Sequence, residues 1–309
     1  MRYGRKMTTL RRARAGTASV VLASVLWGTT GTAASFLPAT VSPLAIGAST
    51  MALGGILLFA FSARRAIKAL RDAAARRWLL IGSVGVFVYP LAFYSSMDLA
   101  GVAIGNVVSL GSGPVFAAIF EWLWERHRLT ARWTIATLIA VAGVALVAVG
   151  GHAGDTPGNA VVPGVLLGLV AGMAYALFTY ASTRAIGIGH TGRGVMGGMF
   201  GIGAMLLAPV LLVTGAPLLA SASSIGIAAY LAIGPMFVAY VLFGYGLRSI
   251  RSSVATTITL IEPFVATLLA VAIVGERLSV LGWIGLALVI GGVTVLVTAR
   301  QTGKQTEQS

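Results

Sequence analysis

Ten predominantly apolar stretches, each about twenty residues long, divide this chain from end to end. They run over 17–36, 43–62, 78–97, 102–122, 133–150, 163–183, 194–214, 225–247, 253–274 and 281–298. A helix rising about 1.5 Å per residue needs about 20 residues to cross roughly 30 Å of hydrocarbon. Each stretch therefore reads as a transmembrane helix, and the expected fold is all-α and integral to a membrane. Charged residues make up 10% of the 309, against about 25% in a soluble domain. That balance leaves too little polar surface for a water-facing globule. Forty glycines suit helices that pack in lipid, where close backbone approach replaces the hydrophobic drive. Gly194 with Gly198, and Gly197 with Gly201, are small-xxx-small pairs of that kind. The chain has no cysteine, so disulfides and thiolate metal sites are excluded.

The net charge of +14 could suggest nucleic acid, but its placement argues for topology. With the N-terminus inside, the inner segments hold 21 of the 22 Lys and Arg residues, and Arg277 alone falls in an outer loop. The positive-inside rule then places both termini in the cytoplasm, in a plasma (inner) membrane. The basic start (Arg2, Arg5, Lys6, Arg11, Arg12, Arg14) resembles the n-region of a signal peptide. The apolar run behind it exceeds the usual 7–15 residues of an h-region, so a retained first span is expected.

A repeat is visible within the chain. Pro114 and Pro263 are 149 residues apart, and the same offset pairs Arg128-Leu129-Thr130 with Arg277-Leu278-Ser279 and Gly143-Val144 with Gly292-Val293. Five spans per half is an odd number, so the second half enters the membrane the other way up. Inverted repeats of this sort are characteristic of secondary transporters, with a site near the midplane between the halves. The expected organisation is a basic cytoplasmic tail (1–16), a first five-helix repeat (17–150), an extracytoplasmic linker (151–162), a second five-helix repeat (163–298) and a cytoplasmic tail (299–309).

Glu262 lies well inside the ninth run and is followed at once by Pro263. A charge at the centre of a span costs about 2.5–3.5 kcal/mol on insertion scales, so such a residue is a candidate functional site. The alternative is a neutral acid that only locks packing. Thr259 shares a helical face with Glu262, and Asn106, Ser109 and Gly113 share one in span four, by i, i+3 and i, i+7 spacing. Pro90, Pro114, Pro235 and Pro263 lie inside runs and predict kinks or breaks, the hinges of a moving bundle.

Leu26-Trp27-Gly28, Glu262-Pro263-Phe264, Gly275-Glu276-Arg277-Leu278-Ser279 and Gly291-Gly292-Val293 together resemble the EamA-type transporters of the drug/metabolite transporter superfamily. The resemblance covers about 18–298. It implies ten helices built as two five-helix repeats, and a central cavity lined by spans one, three, four, six, eight and nine. On that resemblance Trp27, Tyr89, Tyr94, Tyr175, Phe178, Phe237 and Tyr240 are expected lining, able to hold an amine by cation–π contact or a flat molecule by stacking. The first half departs from the second: His127 stands where the second half has Glu276, and Gly113 where it has Glu262. A symmetric two-carboxylate mechanism is therefore not expected.

The implied function is secondary transport by alternating access, exporting small metabolites, amino acids or drug-like compounds, with Glu262 as the coupling group. Desolvation disfavours the charged form of a carboxyl, which suits a proton-coupled cycle. A sensor or scaffold with this fold, or an importer or exchanger, is the alternative. The expected partners are a small-molecule substrate, the bilayer and protons. No cofactor, metal or nucleic acid is expected. Enzyme chemistry lacks its parts: there is no His-Glu-x-x-His pair and no P-loop. Glu121 and Glu125, beside Arg126, Arg128 and Arg132, read as a solvated ion-pair cluster. Trp78, Trp122 and Trp133, at run ends, read as an interfacial belt.

Overall fold

The computed structural model describes residues 2–100, 102–126, 130–151, 161–274 and 279–302. Among these the chain is all-helical. The elements are α1 (Arg2–Gly28), α2 (Thr30–Ala34), α3 (Pro43–Arg71), α4 (Ala73–Ala100), α5 (Val102–Glu125), α6 (Ala131–Gly151), α7 (Val161–Gly187) and α8 (Gly192–Thr214). There follow α9 (Ala222–Leu231), α10 (Ala239–Gly246), α11 (Ser252–Ile258), α12 (Ile261–Leu269) and α13 (Val280–Thr302). Among the described residues six helical stretches are long and apolar enough to cross a membrane: Pro43–Arg71, Ala73–Ser96, Val162–Gly187, Gly192–Thr214, Ala222–Gly246 and Ser252–Ile273. Their outward faces carry exposed Leu53, Ile56, Ile81, Val84, Met205 and Leu212. So much apolar exterior is unusual in water and natural in lipid.

Local sequence sets the helix boundaries. Ser42 accepts from Ala45 N (3.2 Å) and Pro43 occupies the first turn of α3, where its missing N–H is no loss. Thr191 caps α8 by accepting from Gly194 N (3.2 Å), and Ser221 caps α9 by accepting from Ser224 N (3.0 Å). Between α7 and α8 the chain turns at Gly189 with φ 116°, a conformation that favours glycine.

The glycine pairs expected to mediate packing do so. A Cβ on Gly197 would sit 2.7 Å from the Leu58 carbonyl, and one on Gly201 would meet the Phe59 ring. The stripe lets α8 lie directly on α3. Close approaches of the same sort join α4 to α7 at Gly85 and α6 to α13 at Gly292.

Of the four internal prolines singled out by sequence, two mark departures from α-helix. Pro235 lies in a π-helical stretch, Ala232–Val238, between α9 and α10. Ahead of Pro263 the helix breaks at Thr259-Leu260, between α11 and α12. Pro263 has no N–H to offer the Thr259 carbonyl, which accepts from Glu262 N instead (2.9 Å). By contrast α4 and α5 run unbroken through Pro90 and Pro114. One further internal proline, Pro209 in α8, also leaves its helix continuous.

The tryptophan belt is corrected. Trp122 is exposed, but Trp78 and Trp133 are buried. Trp78 packs edge-on to Tyr180 (5.9 Å between ring centres) with the Arg184 guanidinium over its ring (5.4 Å). Position at a run end fixes depth in the membrane. Rotation about the helix axis decides whether the ring meets lipid or protein.

Candidate functional site: an aromatic cavity and a polar clamp

A cavity of about 260 Å³ lies among α1, α2, α3, α4, α5, α7, the π stretch with α10, and α12. Trp27, Tyr89, Pro90, Tyr94, Tyr175, Pro235, Tyr240, Glu262 and Pro263 line it, all singled out by sequence. The rings form two groups bridged from behind by Phe178, which meets Tyr175 at 5.2 Å and Tyr240 at 6.1 Å. Trp27 meets Tyr240 at 4.9 Å, Tyr89 meets Tyr175 at 5.8 Å, and Tyr89 stacks on Phe93 at 5.4 Å. Offset and tilted pairs of this kind follow the ring quadrupole and hold each ring in place.

Glu262 supplies the sole carboxylate of the described lining, which contains no Lys, Arg or His. Two ion pairs occur among the described residues, Arg184–Glu125 and His190–Asp72, and neither involves Glu262. The approach of α1 to Glu262 is close: a Cβ on Gly28 would fall 2.9 Å from the Glu262 carbonyl and 2.6 Å from Val265 Cβ. Glycine after Trp27 therefore lets the ring and the carboxylate share one wall.

Other sequence candidates lie elsewhere. Thr259 stands behind the wall. Its hydroxyl donates to the Thr256 carbonyl (2.9 Å), which leaves Tyr175 OH as the donor in the 2.8 Å bond between Tyr175 and Thr259. Ser109 is buried in α5, outside the lining, and its Oγ has no hydrogen-bond partner among the described residues. Pro114 is likewise off the cavity. Phe178 is fully buried behind the wall, and Phe237 turns away to meet Phe61 edge-on at 5.3 Å. The side chain of Asn106, and residues His127, Asp155, Glu276 and Arg277, lie outside the described residues.

Sequence reasoning passed over Thr30, Gly47, Thr50, Met51, Phe93 and Met236, which also line the cavity. Thr50 is the notable one. It is 8% exposed and its Oγ1 has no hydrogen-bond partner among the described residues. Leaving a buried hydroxyl unmet costs about 1–3 kcal/mol, so it is a group poised for a partner.

The end of the bundle where α5 finishes and α11 begins is polar and tied together. Glu121 is corrected here: it is 3% exposed and belongs to no solvated cluster. Ser252 Oγ and Ser253 N donate to its Oε1 (2.7 and 2.9 Å), and Ser253 Oγ donates to Oε2 (2.8 Å). The carboxylate thus ties the end of α5 to the start of α11. Glu125, one turn on, does keep a partly exposed ion pair, with Arg184 (3.0 Å). At the same end His190 bonds Asp72 (2.8 Å), joining the α7–α8 and α3–α4 corners. That bond, with a further one from Ala74 N, holds the Asp72 carboxyl below its usual range. These links gather the basic corners of the chain on one face, at the far end of α3 from the residues Gly47, Thr50 and Met51 that line the cavity.

The EamA-like transporter family model matches residues 14–149 and again 162–298. The chain belongs to the EamA-like transporter family. It is a multi-pass membrane transporter with a small-molecule substrate and the lipid bilayer as its surroundings. The EamA-like chain is 31% identical over 292 residues to "Uncharacterized transporter YwfM" of Bacillus subtilis (strain 168), covering 93% of this chain and 95% of that one. It is 30% identical over 202 residues to "Probable terminal-alkyne amino-acid exporter" of Streptantibioticus cattleyicolor, covering 63% and 64%. A solved crystal structure superimposes with a TM-score of 0.77 at 24% identity, over 93% of this chain and 98% of that one, which bears on the fold alone.

Proposed function

We propose that this EamA-like transporter works as a secondary active exporter of small metabolites. In this reading ten spans form two inverted five-helix repeats, and the aromatic cavity between them is the transport site. The observation that carries it is the single carboxylate, Glu262, set on an interrupted helix in the wall of that cavity. Broken helices with a site at the break are a recurring transporter device, because irregular backbone is tolerated in a membrane where it lines a cavity. Two further observations support the repeat. The family model matches twice, and the matched segments end 149 residues apart, the offset that relates Pro114 to Pro263. Export is favoured by the relative whose name says exporter.

Alternating access then has named parts. In this cycle the cavity would open away from the basic face while Glu121, Ser252 and Ser253 hold that face shut. Movement about the Thr259-Leu260 break and the Pro235 stretch would exchange the two states. Reconstituted vesicles loaded with a candidate substrate test the reading. Net flux or counterflow that scales with protein supports it, and binding without any movement would identify a sensor instead.

The basic face is assigned to the cytoplasm of a plasma (inner) membrane, with both termini there. Because the chain has no cysteine, single cysteines report cleanly. Ala220→Cys, exposed between α8 and α9, should react with an impermeant maleimide added to intact cells. Ala73→Cys, exposed at the α3–α4 corner, should react only after permeabilisation. The reverse pattern overturns the orientation.

A further inference from the structure

We infer that the cavity selects small monocationic amines: one ammonium group, one compact aromatic or apolar body, and a neutral polar substituent. The inference rests on the cavity being the transport site, and it names what that site takes.

Charge is the first argument. The described lining offers one carboxylate and no cationic side chain. An anionic ligand, such as a phosphate ester or a dicarboxylate, would meet like charge and no counter-charge. Desolvation makes that arrangement costly in either protonation state of Glu262. An ammonium ion reverses the sign, since it gives the carboxylate a charge-assisted hydrogen bond.

The rings supply the second argument. Trp27, Tyr89, Phe93, Tyr94, Tyr175 and Tyr240 share the wall with Glu262. Faces of this kind attract an ammonium through the ring quadrupole and stack on a flat body. Size is the third. At about 260 Å³ the cavity lies under the range of roughly 300–1,000 Å³ typical of sites for drug-sized ligands. A single-ring amine fits that volume better than a polycyclic drug.

Thr50 accounts for the polar substituent. Thr50 lines the cavity and is more than nine-tenths buried, and its Oγ1, one side-chain rotation from the cavity space, has no hydrogen-bond partner among the described residues. A hydroxyl or amide on the ligand would complete it, whereas a carboxylate would bring back an unpaired charge. Free amino acids should therefore bind less well than their amides or the decarboxylated amines.

Calorimetry on the full chain in lipid nanodiscs tests this, with phenethylamine, N-acetylphenethylamine, 3-phenylpropanoate, phenylalanine and phenylalaninamide as probes. Phenethylamine should bind at least about tenfold more tightly than its neutral acetyl form or 3-phenylpropanoate. Glu262→Gln should erase that preference while keeping measurable binding of the neutral form. Thr50→Val, a near-isosteric change, should weaken phenylalaninamide and leave phenethylamine unchanged. Equal or tighter binding of 3-phenylpropanoate, or no amine binding at all, overturns the inference. Flux in vesicles separates it from the transport reading. If 3-phenylpropanoate is carried and phenethylamine is not, transport stands and amine selectivity falls. If phenethylamine binds as described but never moves, selectivity stands and transport falls.

Discussion

Glu262→Gln should remove the pH dependence of transport while leaving an inserted, folded protein. The substitution keeps the shape and the hydrogen-bonding reach of the side chain but fixes it as neutral. In the proposed cycle the carboxylate takes up a proton in one state of the bundle and releases it in the other. Flux driven by a pH gradient should then fall to the background of protein-free vesicles. Folding should survive, since relieving a membrane site of a potential charge removes a cost on insertion of about 2.5–3.5 kcal/mol rather than adding one. Flux measured from pH 5 to 9 in proteoliposomes gives the answer. A mutant with the wild-type rate and profile would make Glu262 a packing residue, and would move the coupling step to another group.

The all-helical, membrane-embedded class is readable from the chain because it rests on local pattern. Run length and charge placement mark the apolar segments, and depth within a run picks out Glu262. Trp27 and the tyrosines of α4, α7 and α10 come from a resemblance that also places them at the cavity. What stayed hidden depends on rotation or on distant partners. Phe237 was expected to line the cavity, but the π stretch around Pro235 inserts an extra residue per turn and shifts the register. Pro235, Met236 and Tyr240 face the cavity instead. Thr50 is one hydroxyl among several in α3, and nothing local says which way it turns. Glu121 was misread because its sequence neighbours are arginines, whereas its donors lie 131 and 132 residues along the chain. Contacts that far apart leave no trace in periodicity.

Glu121→Gln should open the closed, basic end of the molecule. The carboxylate accepts from three donors at 2.7–2.9 Å, and hydrogen bonds to a charged group contribute about 1.5–3 kcal/mol each. An amide keeps one acceptor for Ser252 Oγ and Ser253 N and turns the other atom into a donor, so Ser253 Oγ must reverse its role and the charge assistance is lost; closure weakens without leaving a void. The loss falls on one end only. If the halves are inverted repeats, the positions equivalent to Ser252, Ser253 and Glu121 are Ala103, Ile104 and Ala270, which can form no such clamp. On that proposal the wild-type chain would be biased toward the state with its basic face shut, and losing about 1.4 kcal/mol of that bias would raise the opposite state tenfold. Thr256→Cys, buried between the clamp and the cavity, can report the change. In the Glu121→Gln background it should react with a maleimide from the basic face about tenfold faster than in the parent. Thermal stability of the two backgrounds should be compared in the same lipid. Faster reaction at nearly unchanged stability means that the clamp sets the balance between two folded states. A lowered melting temperature with unchanged reactivity would reduce Glu121 to a structural tie between α5 and α11.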